Sequence, residues 1–160
     1  MKALNGVYIE LNTNELYGRN LTAGALDVMG QYYSVASSSH AFYNYGGLVY
    51  TGNDEKALFD NMWQKCYAVI ACCNTIIEKC DENKAGLSPV WRGSIKGEAL
   101  ALRAMLHFDM LRLFGPLTSE LDKESIPYQT NTDQTVTPLL SGSEGVGLIL
   151  DDLKNAVGLL

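Results

Sequence analysis

Apolar residues recur at helical spacing along two opposite faces of residues 95–116. One face carries Ile95, Ala99, Leu102, Leu106, Met110 and Leu113, and the other carries Leu100, Ala104, Phe108 and Leu111. A helix that is apolar on a single face can lie on a protein surface, whereas a helix that is apolar on both must pack between other elements. The pattern therefore predicts a core of stacked helices in which this segment is the central layer.

The start and stop signals of this helix can be read directly. Ser88 is a suitable N-cap with Pro89 at the first helical position, and Gly115 followed by Pro116 is typical of a helix end. A second long helix is predicted over residues 53–80, and a short polar turn separates the two. Two long helices joined so closely are expected to pack antiparallel, as a helical hairpin of the tetratricopeptide kind.

The rest of the chain predicts shorter helices and two irregular stretches. Helices are expected over residues 2–17 and 22–33, and from Ser143 or Glu144 to the end of the sequence. Residues 34–52 are rich in serine, glycine and aromatic residues, which indicates an ordered loop. Residues 117–147 are polar and indicate a long loop excursion across the surface. We predict an all-α fold of stacked helical hairpins, forming a single helical domain over residues 1–160.

The segment GEALALRAMLHFDMLRLFGP, which begins at Gly97, resembles the GEA-x-x-LRA-x-x-x-F-x-x-x-x-x-FG-x-P signature of the SusD/RagB family. These are outer-membrane nutrient-binding lipoproteins of Bacteroidetes. Trp63, Tyr67, Ile70 and Asn74 are similar to the family's W-x-x-x-Y-x-x-I-x-x-x-N helix. The ending GLILDDLKNAVGLL is similar to its I-x-x-DL-x-x-A-x-x-x-L helix. The three segments occur in the family's order, whereas residues 1–60 match only loosely.

The resemblance implies non-enzymatic capture of an oligosaccharide or a peptide at the cell surface. The ligand would pass to a TonB-dependent, SusC-like outer-membrane transporter, with the protein acting as an outward-facing lid. Family members are several-fold longer and are attached by an N-terminal lipid on a cysteine. Since no cysteine precedes Cys66, we expect Met1 to mark a trimmed start and the chain to be the N-terminal portion of a longer SusD-like protein.

The acidic composition of the chain argues against one class of function. The formal charge of −6 and the pI near 4.8 argue against nucleic-acid binding, which needs a basic surface. No apolar run reaches the roughly 20 residues that span a bilayer. An intracellular helical adaptor that binds protein partners is the alternative function, because the sequence has no signal peptide and its cysteines are predicted to be free. A glycosidase fragment is a weaker third hypothesis.

The cysteines and histidines do not predict a metal site, a disulfide or a cofactor. Cys66, Cys73 and Cys80 recur every seven residues of one predicted helix, which separates them by about 10 Å along its axis. That spacing prevents both a disulfide and a shared zinc ion, so they are predicted to be small core residues. His107 is expected to be a hydrogen-bonded histidine of the core or its edge, and His40 has no nucleophile that the sequence places beside it.

The matched motifs supply residues that we interpret as structural. Glu98 and Arg103 lie on different sides of their helix, so each is expected to bond to a neighbouring helix or loop backbone. A catalytic role for Glu98 would need a second carboxylate across a cleft, and Asp109 lies about three turns away. The other motif residues interpreted as structural are Trp63, Tyr67, Asn74, Phe108, Gly115 and Pro116.

The best candidates for ligand recognition lie in the aromatic loop. They are Phe42, Tyr43, Asn44, Tyr45 and Tyr50. Aromatic rings can stack on the apolar faces of sugars, while the asparagine amide and the tyrosine hydroxyls can bond to sugar hydroxyls. The alternative is that these rings only cover the helical core. The resemblance favours recognition, because starch-binding members place stacking aromatics in the segment before the Trp63 helix.

Overall fold

The computed structural model describes residues 2–133 and 136–160, and over these residues the fold is mostly helical. The α-helices are α1 (Lys2–Leu11), α2 (Ala25–Met29), α3 (Tyr43–Gly46), α4 (Asn53–Glu82), α5 (Pro89–Phe114) and α6 (Gly142–Leu159). Between α5 and α6 lie a short 3-10 helix (Thr118–Glu120) and two strands, β1 (Glu124–Pro127) and β2 (Leu139–Ser141). The all-α prediction is confirmed, with one two-stranded sheet added to it among the described residues.

The chain divides into two compact units. The larger, which we call the three-helix unit, comprises Met1–Val7 and Ala68–Leu160. The smaller, which we call the aromatic unit, comprises Tyr8–Tyr67.

Helix α5 is the middle layer of the three-helix unit, as its two apolar faces predict. Toward α4, Lys96 pairs with Asp81 at 2.5 Å and Arg103 donates to Asn74 at 2.8 Å, so the two helices run antiparallel. Toward α6, the Arg103 guanidinium pairs with Asp152 at 2.7 Å. The predicted signals at the start of α5 are confirmed, because the Ser88 hydroxyl accepts the backbone N–H of Trp91 and Pro89 opens the helix.

Close approach of α5 and α6 requires a small residue at Gly97. A Cβ at this position would lie 3.1 Å from the Ala156 carbonyl oxygen and 3.2 Å from the Leu159 Cβ. These distances are tighter than nine in ten real Cβ contacts, so a larger residue requires the facing atoms of α6 to move by a few tenths of an ångström. The glycine of the GEA motif therefore has a packing role between these helices.

The segment after α5 is more ordered than its polar composition predicts. Strands β1 and β2 pair antiparallel, with Glu124 opposite Ser141. Ile126, in β1, and Tyr128, directly after it, are buried. The prediction of a surface excursion over residues 117–147 is thus wrong in part, since these residues include two paired strands. The strands have four and three residues, which is too short for an alternating pattern to be recognised in the sequence.

Three helices and one buried face also differ from the prediction. Helix α2 covers only Ala25–Met29, whereas a helix was predicted over residues 22–33. Helix α1 ends at Leu11 rather than Tyr17, since residues 12–24 form consecutive turns around the buried Leu16. Helix α6 begins at Gly142, capped by Ser141, whereas Ser143 or Glu144 was predicted to open it. Phe108, which we assigned to a buried face of α5, is 47% exposed.

Candidate ligand-binding site

The aromatic loop divides into a ring cluster around the buried Tyr45 and an exposed wall. Tyr45 is only 2% exposed. The centroid of its ring lies 5.8 Å from the ring centroid of Phe42, 6.5 Å from that of Tyr50 and 6.1 Å from that of Phe59 on α4. Tilted and edge-on contacts of this kind are favourable between aromatic rings. The alternative hypothesis for the loop, that its rings cover the core, therefore describes Tyr45 and its neighbours.

Two hydrogen bonds join the same loop to the first turn of α4. The Asn44 amide donates to the carboxylate of the buried Glu55 at 2.8 Å, and the Tyr45 hydroxyl donates to the Asp54 carbonyl at 3.5 Å. Burial, together with the charges of Glu55 and Asp54, raises the pKa of Tyr45, which keeps the phenol neutral. The ring cluster and these bonds make the loop a fixed support for the residues that face solvent.

Tyr43 lines a cavity of about 380 Å³. Its side chain is 41% exposed. The cavity is lined by Gln31, Tyr33, Ser34, Val35, Tyr43, Asn44, Gly46, Gly47 and Val49. Two chain segments thus form its walls, one following α2 and one containing α3.

Gln31 holds the two walls together. Its side-chain amide donates to the Gly46 carbonyl at 3.0 Å and to the Val28 carbonyl at 3.4 Å. Its backbone has a φ of 61°, in the left-handed region that non-glycine residues seldom occupy. Gly46 permits the close approach of α3 to α2, because a Cβ there would lie 3.3 Å from a methyl group of Val28. The cavity is therefore formed by specific contacts of the folded loop.

The chemistry of the cavity suits a ligand that has both apolar faces and hydroxyl groups. Tyr33 and Tyr43 present exposed phenol rings, which can stack and can also hydrogen-bond. Ser34 and the Asn44 amide add polar groups, and Val35 and Val49 add apolar surface. A pocket with apolar walls and a few polar groups is the usual form of a small-ligand site.

The structure separates the five residues predicted for recognition. Tyr43 and Asn44 line the cavity, whereas Phe42, Tyr45 and Tyr50 form the ring cluster. Sequence reasoning missed Tyr33, which was assigned to the end of a helix. The doublet Tyr32–Tyr33 directly precedes the aromatic loop, and this position could have indicated it.

A second polar assembly, which we call the Arg103 network, lies in the three-helix unit. The buried Arg103 donates twice to Asp152, each time at 2.7 Å, and once to Asn74 at 2.8 Å. The Tyr128 hydroxyl donates to Asp152 at 2.6 Å. Burial, followed by this bond, raises the pKa of Tyr128. The network links α4, α5, α6 and the segment that follows β1.

His107 belongs to this network through both ring nitrogens. Nε2 accepts the backbone N–H of Gln129 at 3.1 Å, so the proton is on Nδ1, which donates to the Arg103 carbonyl at 2.9 Å. The ring stacks on Tyr128 with centroids 3.8 Å apart. Burial lowers the pKa of His107 to about 4. A neutral histidine with both nitrogens bonded to the protein has a structural role rather than that of a general base.

Hydrogen bonds from Asn74, on α4, hold the segment that follows β1 against this helix. Its amide donates to the carbonyls of Gln129 at 3.2 Å and Asn131 at 3.0 Å. Arg103 donates to the Thr130 carbonyl at 3.3 Å. Backbone groups of three consecutive residues are thereby bonded to buried side chains, which is how buried polar groups are normally satisfied.

The other motif residues occupy helix surfaces and ends. The rings of Trp63 and Tyr67 lie 4.8 Å apart, and burial raises the pKa of Tyr67. Glu98 is half-buried. Gly115 ends α5, its N–H donating to the Leu111 carbonyl at 2.9 Å, and Pro116 follows it.

The cysteines are free, and three of them are buried. Cys66, Cys73 and Cys80 lie in the core and Cys72 is exposed. Burial raises the pKa of Cys73 to about 12, so its thiol stays protonated. Over residues 2–133 and 136–160, no group of histidine, cysteine and acidic residues could hold a metal ion. No helix in that part of the chain has the length and hydropathy of a membrane span.

Comparisons with known proteins agree on one family. A model of the SusD-like family, described as starch-binding and associating with the outer membrane, matches residues 3–160. SusD-like protein P38 of Formosa agariphila is 32% identical over 96 residues, which cover 59% of this chain and 17% of the relative. SusD-like protein P2 of the same organism is 25% identical over 120 residues, which cover 72% of this chain and 22% of the relative.

Solved structures agree on the fold. A SusD superfamily protein from Bacteroides thetaiotaomicron has a TM-score of 0.77 at 21% identity, over 99% of this chain and 36% of that one. A second, from Bacteroides vulgatus, has a TM-score of 0.71 at 22% identity, over 99% and 33%. The chain thus spans about a third of these structures and about a fifth of the curated relatives.

Proposed function

This chain belongs to the SusD-like family, described as starch-binding and associated with the outer membrane, and from that premise we propose that it captures an oligosaccharide without transforming it. The observation that carries the proposal is the cavity of the aromatic unit, where Tyr33 and Tyr43 face solvent from a fixed loop. Affinity comes from stacking on the two rings and from hydrogen bonds to Ser34 and Asn44. A peptide is the second ligand class, and it would use the same rings.

The lining of the cavity supports binding rather than hydrolysis. None of its nine residues is acidic or a histidine, and a glycosidase needs a pair of carboxylates beside the scissile bond. Asp109, the carboxylate considered beside Glu98, is buried and paired with Arg112. The family description likewise names binding and no reaction.

The remaining parts of the proposal concern the whole protein. We propose that residues 1–160 are the N-terminal portion of a longer lipoprotein, attached by an N-terminal lipid and facing outward. It would act as a lid on a TonB-dependent, SusC-like transporter and hand the oligosaccharide to it. The family's association with the outer membrane supports this location. It gives no support to the alternative, an intracellular adaptor for protein partners.

The decisive experiment measures starch binding by the full-length protein with single tyrosine substitutions. Tyr43→Ala and Tyr33→Ala should each weaken binding of a maltooligosaccharide by about tenfold, the loss of roughly 1.4 kcal/mol of stacking energy. Tyr32→Ala is the matched control, since Tyr32 is an exposed neighbour that does not line the cavity. Isothermal titration calorimetry supplies the affinities.

Two results would contradict the proposal. One is an equal loss of affinity in all three variants, and the other is unchanged affinity in Tyr43→Ala and Tyr33→Ala. If starch does not bind the unsubstituted protein, the same three variants are compared on other glycans and on peptides. Release of reducing ends during these assays would instead support an enzyme.

A further inference from the structure

A second cavity, which we call the basic cavity, lies within the three-helix unit. Its volume is about 620 Å³, which is in the range of small-ligand pockets. Helices α4, α5 and α6 line it, together with Thr130 in the segment that follows β1. Ile77 and Leu100, both buried, give it apolar surface. It shares no lining residue with the cavity of the aromatic unit.

The basic cavity has positively charged walls in an acidic protein. Its lining includes three cationic residues, Lys96, Arg103 and Lys154, and one carboxylate, that of Asp152. Asp152 is already paired with Arg103, so the two lysines supply an excess of positive charge, although the whole chain has a formal charge of −6. A concave surface of one sign concentrates ligands of the opposite sign. The cavity therefore favours an anionic ligand.

The present partners of the two lysines leave them able to bind such a ligand. Lys96 pairs with Asp81 and Lys154 with Asp151, and neither aspartate lines the cavity. Both aspartate side chains are more than half exposed, and exposed ion pairs contribute only about 0–1 kcal/mol. A ligand carboxylate can therefore replace or share these partners at little cost.

Arg103 has one N–H group left for a ligand. A guanidinium has five N–H groups, and the bonds of Arg103 to Asp152, Asn74 and the Thr130 carbonyl use four of them. Within the described part of the chain, the second N–H of Nη2 makes no hydrogen bond, although Arg103 is only 6% exposed. A buried donor without an acceptor is costly. Because Arg103 lines the cavity, a ligand oxygen there can accept this N–H.

The remaining polar groups favour a sugar over a peptide. Thr130 and Asn155 line the cavity and are exposed, and their hydroxyl and amide groups can both donate to and accept from sugar hydroxyls. Apart from Thr130, the lining residues lie on helices. Helical backbone groups are bonded within the helix, so a peptide backbone would find few partners. We propose that the basic cavity binds an acidic saccharide, whose uronate carboxylate is held by Lys96 and Lys154.

Calorimetric titration of the full-length protein with trigalacturonate and with its methyl ester tests the need for charge. The ester keeps the ring hydroxyls but has no carboxylate, so its affinity should be lower by about tenfold or more. Lys96→Gln and Lys154→Gln should each weaken trigalacturonate binding by about fivefold and leave binding of the ester unchanged. Lys123→Gln is the matched control. Lys123 pairs with Glu120 three positions away, as Lys154 does with Asp151, but it does not line the cavity.

A bulky side chain at Gly158 tests the place of binding. Gly158 lines the cavity, and no atom lies within 4 Å of the position of a Cβ there. Gly158→Phe should therefore fill part of the cavity without disturbing α6, and trigalacturonate binding should be lost. Gly147→Phe is the control, because Gly147 lies on the same helix, has equally open space at its Cβ position and does not line the cavity. Thermal unfolding should give similar midpoints for the two variants.

Several results would each overturn the proposal. Absence of trigalacturonate binding, or equal binding of its methyl ester, would show that the cavity does not hold a uronate. A loss in Lys123→Gln as large as that in Lys154→Gln would show that the attraction is unspecific. Unchanged affinity in Gly158→Phe would place the site elsewhere. Tighter binding of N-acetyltrialanine, whose only charge is its terminal carboxylate, would identify a peptide as the ligand.

The two cavities are tested by different variants, so the inference does not depend on starch binding. Gly158→Phe should leave maltooligosaccharide affinity unchanged, and Tyr43→Ala should leave trigalacturonate affinity unchanged. Loss of trigalacturonate binding in Tyr43→Ala but not in Gly158→Phe would assign the acidic sugar to the aromatic unit and overturn the proposal. Failure of starch binding would leave this inference standing, and failure of this inference would leave starch binding to be decided by Tyr33 and Tyr43.

Discussion

The Arg103 network and the tyrosine cavity show two opposite uses of polar and aromatic side chains. In the network, Arg103, Asp152 and Asn74 are buried. Arg103 donates to both Asp152 and Asn74, and Arg103 and Asn74 also donate to backbone carbonyls. At the cavity, Tyr33 and Tyr43 leave their rings in contact with solvent. The network maintains the arrangement of three helices, whereas the cavity retains surface that a ligand can cover. The contrast teaches that the side chains with the most internal bonds serve the fold, and those with exposed rings are the candidates for recognition.

The largest loss of stability is expected when the charge of Arg103, at the centre of the network, is removed. Arg103→Met leaves Asp152 buried without its cation, which we expect to destabilise the protein by about 3–5 kcal/mol. Urea denaturation followed by circular dichroism measures the loss. Lys65→Met is the control, because the ion pair of Lys65 with Glu10 is well exposed and such pairs contribute only about 0–1 kcal/mol. A loss below 1 kcal/mol in Arg103→Met would contradict a structural role for the network.

Within the aromatic loop, substitution of Tyr45 should mainly lower stability, whereas substitution of Tyr43 should mainly lower ligand affinity. Tyr45→Ala empties a buried site between three rings and should cost roughly 3 kcal/mol of stability. Tyr43→Ala removes an exposed ring and should cost less than about 0.5 kcal/mol while weakening ligand binding. Thermal unfolding and calorimetry on both variants separate the two effects. Similar stability losses in both would assign Tyr43 to the core as well.

The pKa of His107 predicts that the network weakens in mild acid. Because the folded pKa is lowered to about 4 from an ordinary value near 6.5, the unfolded chain binds a proton first as the pH falls. Stability is therefore unaffected above about pH 7 and decreases between pH 6.5 and 4, by on the order of 3 kcal/mol at the lower limit.

Denaturation of the protein and of His107→Gln at several pH values checks this expectation. Glutamine cannot titrate, so its variant should be less stable at neutral pH and should lose less stability between pH 6.5 and 4. Parallel pH curves for the two proteins would show that His107 is not responsible for the dependence.

Substitutions at two glycines with different surroundings should change stability in opposite directions. Gly147 lies in α6 with no atom within 4 Å of the position of a Cβ, so Gly147→Ala should stabilise the chain by about 0.5–1 kcal/mol through helix propensity. Gly97→Val places two methyl groups against the backbone of α6 and should destabilise it by about 1–3 kcal/mol. Thermal unfolding gives the sign of each change, and a stabilised Gly97→Val would contradict the packing role of this glycine.

The candidate site was predicted only in part, for a physical reason. The aromatic residues of the loop were recognised from their composition, but which ring faces solvent depends on the turn at α3 and on the left-handed backbone of Gln31. Periodicity carries no information in such irregular segments, because no repeating geometry relates one side chain to the next. Tyr33 was missed on the same ground, since its place at the cavity is set by contacts with residues that follow it by ten or more positions.

The amino-acid sequence by itself determined the long helices, their ends and the family. The helical period extends over more than twenty residues between Ser88 and Gly115, so the position and length of α5 follow from the sequence. The three-dimensional structure decided which polar residues meet. Arg103 and Asp152 are 49 positions apart, and they pair only because α5 and α6 pack closely at Gly97. Helical periods are local and visible in the sequence, whereas such pairs depend on the packing of whole elements.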